Sequence, residues 1–437
     1  MAKLAIVSSY NENCGNASYT HVLKNEFSRH IDVDVISLDL FTLQKQGRTA
    51  KRLGDEHIRE ICRRLKDYDY VNIQFEAGLY GATISDMLRR VSWLIGASSN
   101  LIFTMHRIDL MTRTRGEIIL DHVKRRKFRG IMPALGRTGF ERLYFDLIAK
   151  CKEQSKRKNL WVCVHTRRER RIVQEYYKMA NCFDHPLAFL TPDERDKAWS
   201  RSDKVAFKAK YRFKPDTCVV GLFGYLSEYK GLETAINALP LLPENYIIAL
   251  FGSQHPQSIR EGVPIDPYLS KLVEIVDDLA DDVVDKQLIR VSKLPKSAAA
   301  KLDAEWLAKL TQLQFRDRVR FMGNIDDPEF IEALRLCDAV VLPYMEVGQS
   351  MSGVIALAIE SGATMFCSNN LSFFEAKKYY GEIYHNFDIG NHVELAQKLL
   401  GGGDSFRDRR NEVFRKYNIN TLVTSHMEKF GYRESGV

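Results

Sequence analysis

The residues best suited to chemistry fall in two places about a hundred positions apart. Val219-Val220-Gly221-Leu222-Phe223-Gly224-Tyr225-Leu226-Ser227-Glu228-Tyr229-Lys230-Gly231 is an apolar run that breaks at glycine and small polar residues and ends on a lysine. Pro343-Tyr344, Gln349-Ser350-Met351-Ser352-Gly353 and Ala358-Ile359-Glu360-Ser361-Gly362 repeat that grammar and end on a carboxylate. At such breaks backbone N–H groups and a helix N-terminus are open to an anion. Lys230 is placed to offset the charge of a diphosphate, and Glu360 to accept hydrogen bonds from a ribose. The small-residue loop Ser350, Met351, Ser352 and Gly353 is suited to phosphate or sugar hydroxyls. Each feature also has a plainer reading. Lys230 would be a surface lysine at a helix start, Glu360 a salt-bridged carboxylate, and Ser350 or Ser352 an N-cap. Together they point to a sugar-nucleotide site.

Such loops need strands to aim them. Short β-branched runs at Leu4–Ser8, Val33–Leu38, Tyr70–Gln74, Leu101–Met105 and Leu160–Val164 alternate with helical patterns at Ser18–His30, His57–Leu65, Ala82–Leu94 and Phe140–Lys150. A charged stretch over 190–217 reads as a connection. The alternation restarts at Cys218–Phe223 and Tyr246–Phe251, crosses a charged, mostly helical insertion at 256–316, and resumes at Val319–Met322, Ala339–Leu342 and Thr364–Ser368. Strand–helix alternation predicts α/β architecture with parallel, doubly wound sheets. The expected organisation is an N-terminal Rossmann-like domain over 1–195 and a second over 196–414. A C-terminal helix within 415–437 is expected to return to the first domain. Two such domains facing a central cleft would present ligands to the C-terminal ends of their strands.

Several further residues fall at those strand ends. His106 follows Leu101–Met105, where its ring is expected to donate a hydrogen bond to a sugar hydroxyl or bear part of a developing charge. Glu76 ends the third strand and is an acceptor-side catalytic candidate. Gly15, in Cys14-Gly15-Asn16-Ala17-Ser18-Tyr19-Thr20, permits close backbone approach after the first strand, although the loop is not GxGxxG. Asp32-Val33-Asp34 and Asp67-Tyr68-Asp69 open strands on the side away from the cleft, so no metal is assigned to them. No nucleophile elbow, Walker loop or zinc spacing occurs.

At 437 residues the chain is too long for one core. It carries 45% hydrophobic and 27% charged residues, as soluble globular proteins do. The net charge is +8, yet residues 107–171 alone hold 19 Lys/Arg against 7 Asp/Glu. Lys124-Arg125-Arg126-Lys127 and Lys156-Arg157-Lys158 are its densest points. That excess reads either as a solvated helix face or as a surface for an anionic partner, whether an acidic leaflet, a lipid diphosphate or a nucleic acid. The eight cysteines are dispersed without CxxC pairing. With no apolar run long enough to span a bilayer and no signal peptide, this predicts a reducing cytoplasm, with a peripheral position on the inner face of the membrane also open.

The order of these motifs resembles the GT-B glycosyltransferases of family 4, the retaining class, over nearly the whole chain. The Cys14–Thr20 loop, Ile73-Gln74-Phe75-Glu76, Thr104-Met105-His106, Phe223-Gly224-Tyr225-Leu226 with Lys230-Gly231, Phe321-Met322-Gly323, and Ser352 through Glu360 are similar to that family's successive site segments. The resemblance implies transfer of a sugar from a UDP- or GDP-sugar to a glycan or lipid-linked acceptor hydroxyl. It implies neither a metal nor another cofactor. Gly323 and Asn324 would lie near the base, Glu360 on ribose, Lys230 and the 350–353 loop on phosphates and sugar, and His106 beside the reacting carbon. Two positions depart from the pattern. Tyr225 stands where the family often has Arg, and Ser352 where it has the first of two glutamates. The alternatives are a glycosyltransferase acting on modified DNA, a catalytically silent nucleotide-sugar-binding or scaffold protein, and a sugar-nucleotide epimerase.

Overall fold

The computed structural model describes residues 2–12, 15–110, 115–124, 131–200, 203–254, 267–292, 317–346, 351–403 and 405–432, with side chains left aside at a few helical positions among them. The chain divides into two units, Met1–Phe189 with Tyr417–Val437, and Leu190–Lys416.

In the first unit, β1 (Lys3–Ser8), β2 (Asp32–Ser37), β3 (Tyr70–Phe75), β4 (Leu101–Met105), β5 (Leu160–Val164) and β6 (Cys182–Asp184) form one parallel sheet in the order β2-β1-β3-β4-β5-β6. All five residues of β4 are buried, as are five of the six in β1. Helices cover both faces of such strands, so they read as continuous apolar runs. Helix α1 (Gly15–Phe27) packs on β1 and β2. The C-terminal helix Ile419–Phe430 packs on α1 and β4 of the same unit, and a capping box at Asn418 and Thr421 starts it.

The second unit repeats the plan. β7 (Cys218–Phe223), β8 (Tyr246–Phe251), β9 (Val319–Gly323), β10 (Ala339–Leu342), β11 (Met365–Ser368) and β12 (His385–Phe387) are parallel in the order β12-β11-β10-β7-β8-β9. Strand order therefore reverses between β1 and β3 in one unit and between β7 and β10 in the other. Crevices open at the C-terminal ends of strands at such reversals.

Three expectations need correction. The charged stretch 190–217 is not a simple connection. It forms the helices Pro192–Ser200 and Lys204–Lys210 of the second unit. Arg195 donates to the Glu360 carbonyl and Trp199 to the Ser361 carbonyl. The helix expected from His57 begins at Arg48. The three-residue strands β6 and β12 escaped the sequence pattern because so short a run carries no alternation to read. Of the insertion at 256–316, the helix Pro267–Ser292 is described; residues 255–266 and 293–316 lie outside the described residues.

Candidate functional site

The second unit gathers its candidate residues where the sheet reverses. β7 ends at Phe223, and Gly224 follows with φ +87°, a conformation that side chains resist. A short turn over Glu228–Lys230 then closes on Gly231, which is left-handed with φ +56°. The turn is fastened to the segment after β10, because Met345 N–H donates to the Tyr229 carbonyl at 2.7 Å. A Cβ on Gly231 would lie 2.4 Å from the Pro343 carbonyl oxygen, so glycine is required for this close approach.

This fastening carries Lys230 inward. Its side chain is 3% exposed, and Nζ donates to the Phe223 carbonyl at 3.0 Å. Nζ also lies 5.8 Å from the centroid of the Tyr344 ring. No carboxylate pairs with it among the described residues. Burial lowers its pKa to about 7, so the amine is poised between neutral and charged. A Cβ on Gly224 would stand 2.4 Å from Nζ and 3.2 Å from Val354 Cγ2. Gly224, Lys230 and the first turn of the helix after β10 therefore meet at one point.

That helix, α2 (Gly353–Ser361), is almost wholly apolar and mostly buried. Ser352 occupies the N-cap position but makes no side-chain cap. Its Oγ lies 3.3 Å from the Tyr344 hydroxyl instead. The N-cap reading of Ser352 thus fails, and among the described residues no side chain caps the first-turn N–H groups, which are suited to an anion. Met351 and Ser352 are buried and Gly353 is half-buried. Ser350 lies outside the described residues. Tyr225 is half-buried in the turn after Gly224.

Glu360 is not part of this gathering. It stands six residues beyond Val354, about 9 Å along the helix at 1.5 Å per residue. Its carboxylate is buried and accepts the Leu190 N–H at 3.2 Å. Through that oxygen the side chain ties the helix end to the chain's own backbone.

Gly323 and Asn324 end β9, two strands from β7 on the same edge. Gly323 has φ +75°, and Asn324 is exposed. Gly252 links them to the lysine turn. It bridges to Gly323, and a Cβ on it would fall 2.1 Å from the Gly224 carbonyl oxygen. Sequence reasoning missed Gly252, although Phe251-Gly252-Ser253 repeats the strand-then-glycine break of Phe223-Gly224.

In the first unit, His106 follows β4 and its ring is half-buried. Its Nε2 lies 2.8 Å from Gln74 Oε1. The ring meets Tyr19 edge-on at 5.5 Å and lies 4.9 Å from the His165 ring. Burial, then His165, holds its pKa well below the ordinary histidine value. Glu76 is half-buried at the end of β3. Burial raises its pKa, and Arg107 opposes that rise. Gly15 opens α1, and nothing within 4 Å would obstruct a Cβ there. Cys14 lies outside the described residues. His165, Tyr19 and Gln74 went unread in the sequence as members of this cluster.

The aspartate pairs are used internally. Asp69 accepts the Lys3 N–H at 2.8 Å, and Asp34 accepts the Tyr68 hydroxyl at 2.8 Å. Among the described residues no group of three His, Cys, Asp or Glu is arranged to hold a metal ion, and no helix is long and apolar enough to cross a membrane.

Part of the basic region is also committed. Lys158 Nζ, half-buried, donates to the Ile95 and Ser98 carbonyls at the end of the helix Ile84–Ala97. Arg107 pairs with Asp109 at 2.9 Å and Arg170 with Asp184 at 2.7 Å. Arg125, Arg126 and Lys127 lie outside the described residues.

No family model and no curated protein sequence matches this chain. Solved structures do resemble it. Anabaena HepE in complex with UDP aligns with a TM-score of 0.57 at 13% identity, over 98% of this chain and 99% of that one. WaaG, described as a glycosyltransferase involved in lipopolysaccharide biosynthesis, aligns at 0.55 and 12% identity, over 99% and 100%. An α,α-trehalose-phosphate synthase from Burkholderia xenovorans, in complex with glucose-6-phosphate, aligns at 0.61 and 10% identity, over 98% and 100%. The two parallel six-stranded units, with full-length likeness to these proteins, give this chain the GT-B fold.

Proposed function

We propose that this protein is a glycosyltransferase of the retaining, family 4 kind, moving a sugar from a UDP- or GDP-sugar to an acceptor hydroxyl. The observation that carries the reading is the position of Lys230. A buried amine lies at a sheet reversal, beside the start of α2, and among the described residues it has no acidic partner and that start has no side-chain cap. A diphosphate would satisfy both its charge and the open N–H groups. Full-length likeness to HepE, solved with UDP, supports a uridine donor. Gly224, Tyr225, Lys230, Met351, Ser352 and Gly353 would hold the phosphates and sugar, with Gly323 and Asn324 towards the base. Ser350 is kept in this set from its place in the sequence.

The first unit would serve the acceptor through His106, with Glu76 and Gly15 at neighbouring strand ends. In this scheme the leaving phosphate takes the acceptor's proton. Positioning and charge stabilisation at Lys230 then supply most of the acceleration, with no metal needed. The acceptor we favour is a lipid-linked glycan in bacterial surface polysaccharide assembly. Its support is the excess of cations over 107–171 together with the helix Arg115–Lys124, which exposes Ile119, Leu120 and Val123 next to Lys124. Exposed apolar side chains flanked by cations suit an anionic bilayer surface.

The test is a panel of nucleotide sugars screened by thermal shift, followed by product analysis. One UDP- or GDP-sugar should stabilise the protein and be consumed with its anomeric configuration retained. If none is bound or consumed, the assignment falls. Co-sedimentation with anionic but not zwitterionic vesicles is expected. Salt-sensitive duplex DNA binding without vesicle binding would overturn the lipid-linked acceptor.

A further inference from the structure

A buried polar chain runs through the centre of the first unit's sheet, and its direction is fixed at one end. Asn72 Nδ2 donates to the Ile102 carbonyl at 3.3 Å and to Thr104 Oγ1 at 3.1 Å. A carbonyl only accepts, so the Asn72 amide has one orientation, with Oδ1 facing Gln74. Gln74 Nε2 donates to that oxygen, which turns Gln74 Oε1 towards His106. His106 Nε2 must then carry the proton that Gln74 Oε1 accepts. The amides of Asn72 and Gln74 and the hydroxyl of Thr104 are buried among the apolar residues of β3 and β4. Such a network is costly unless every member is satisfied, and here each hands its polarity to the next.

We propose that Gln74 is a positioning residue: it locks His106 as the Nε2–H tautomer and leaves Nδ1 as the ring nitrogen open to accept a hydrogen bond from a sugar hydroxyl. The sugar in this statement rests on the transferase reading; the tautomer does not. In this proposal His106 accepts from the hydroxyl, where the sequence reading has it donate. Nδ1 accepts no hydrogen bond among the described residues. The rings facing His106 are Tyr19 from α1 and His165 just after β5, while its own strand end brings Arg107, paired with Asp109. His165 adds no positive charge. Its Nδ1 lies 3.0 Å from the His185 carbonyl, its Nε2 is buried with no hydrogen-bond partner among the described residues, and burial lowers its pKa to about 4. The first unit thus keeps two adjacent imidazoles neutral, and Gln74 decides which nitrogen of the outer one is the acceptor.

The experiment is long-range 1H–15N correlation on full-length protein labelled with [15N]histidine, with the His106 signals assigned against His106→Asn. At pH 7.5 the wild type should show a protonated Nε2 and an unprotonated Nδ1. Gln74→Met removes the acceptor, and His106 should become a mixture of tautomers. Gln74→Glu keeps an acceptor and adds negative charge, so the Nε2–H form should persist with a pKa raised by about one unit or more. Consumption of the nucleotide sugar found in the panel should lose about tenfold in kcat/KM in Gln74→Met. Gln74→Glu should recover it with the acid limb moved upward. A wild-type Nδ1–H tautomer, or unchanged His106 signals in Gln74→Met, overturns the proposal. A protein that consumes no nucleotide sugar yet shows the expected tautomers would sink the transferase reading and leave the role of Gln74 standing.

Discussion

The two units share one architecture, a parallel six-stranded sheet, and treat polarity at their strand ends in opposite ways. In the first, the groups around His106 are already answered internally. Gln74 satisfies one ring nitrogen, and His165 beside it is held neutral. In the second, among the described residues, Lys230 has a single carbonyl partner for three donors and the start of α2 has no side-chain cap. On the proposed reading, one edge would receive a neutral hydroxyl and the other an anion. The same fold hosts both because the strands and helices set only where the loops point, while a few side chains set the charge each edge will accept.

That contrast yields graded tests. The largest loss short of removing Lys230 itself is expected from Gly224→Val. Its Cβ would meet Nζ at 2.4 Å, at a residue with φ +87°. Displacing one charged hydrogen-bond donor should weaken nucleotide-sugar binding by roughly 10–100-fold, measured by calorimetry, while the first unit's His106 signals stay unchanged.

The next effect is pH dependence. The free amine has a pKa of about 7, and a bound diphosphate favours the ammonium. Above pH 7 binding must therefore take up a proton, and affinity for a nucleotide sugar should fall by close to tenfold per pH unit. Below pH 7 it should level off. The same lysine acts oppositely on stability. Between pH 7 and the unfolded value near 10.5 the unfolded chain binds more protons, so this residue makes the ligand-free protein more stable as pH rises. A flat affinity from pH 7 to 9 would remove the contrast between the two edges.

The smallest effect on binding is expected at Glu360. Glu360→Ala leaves the Leu190 N–H buried without its acceptor and should cost about 1–3 kcal/mol in a denaturation curve. Nucleotide-sugar affinity should be unchanged. A large loss of affinity with intact stability would restore the ribose role.

Much of this was legible in the sequence because fully buried parallel strands leave unbroken apolar runs, and glycines mark where those runs end. The alternation gave the doubly wound sheets, and Gly224 with Lys230 marked the anion edge. Glu360 was ambiguous for a physical reason. A carboxylate at the inner end of an apolar helix must find a donor, but sequence does not say whether the donor belongs to a ligand or to the chain. Here it is the Leu190 backbone, supplied by a stretch that looked like a linker because its charges are many. Gln74 was invisible for a related reason. A single amide in the apolar run Tyr70–Phe75 acquires meaning only when the register of β3 on β4 pairs Gln74 with Thr104 and brings His106 alongside.

The account depends most on one ammonium receiving a diphosphate in the second unit. Isothermal titration of the nucleotide sugar selected by the panel into wild-type protein and Lys230→Met tests this directly, because methionine keeps the buried stem and removes the charge. The expected result is a loss of affinity of about a hundredfold or more in a variant that remains folded. Equal affinity in a folded Lys230→Met protein would contradict it.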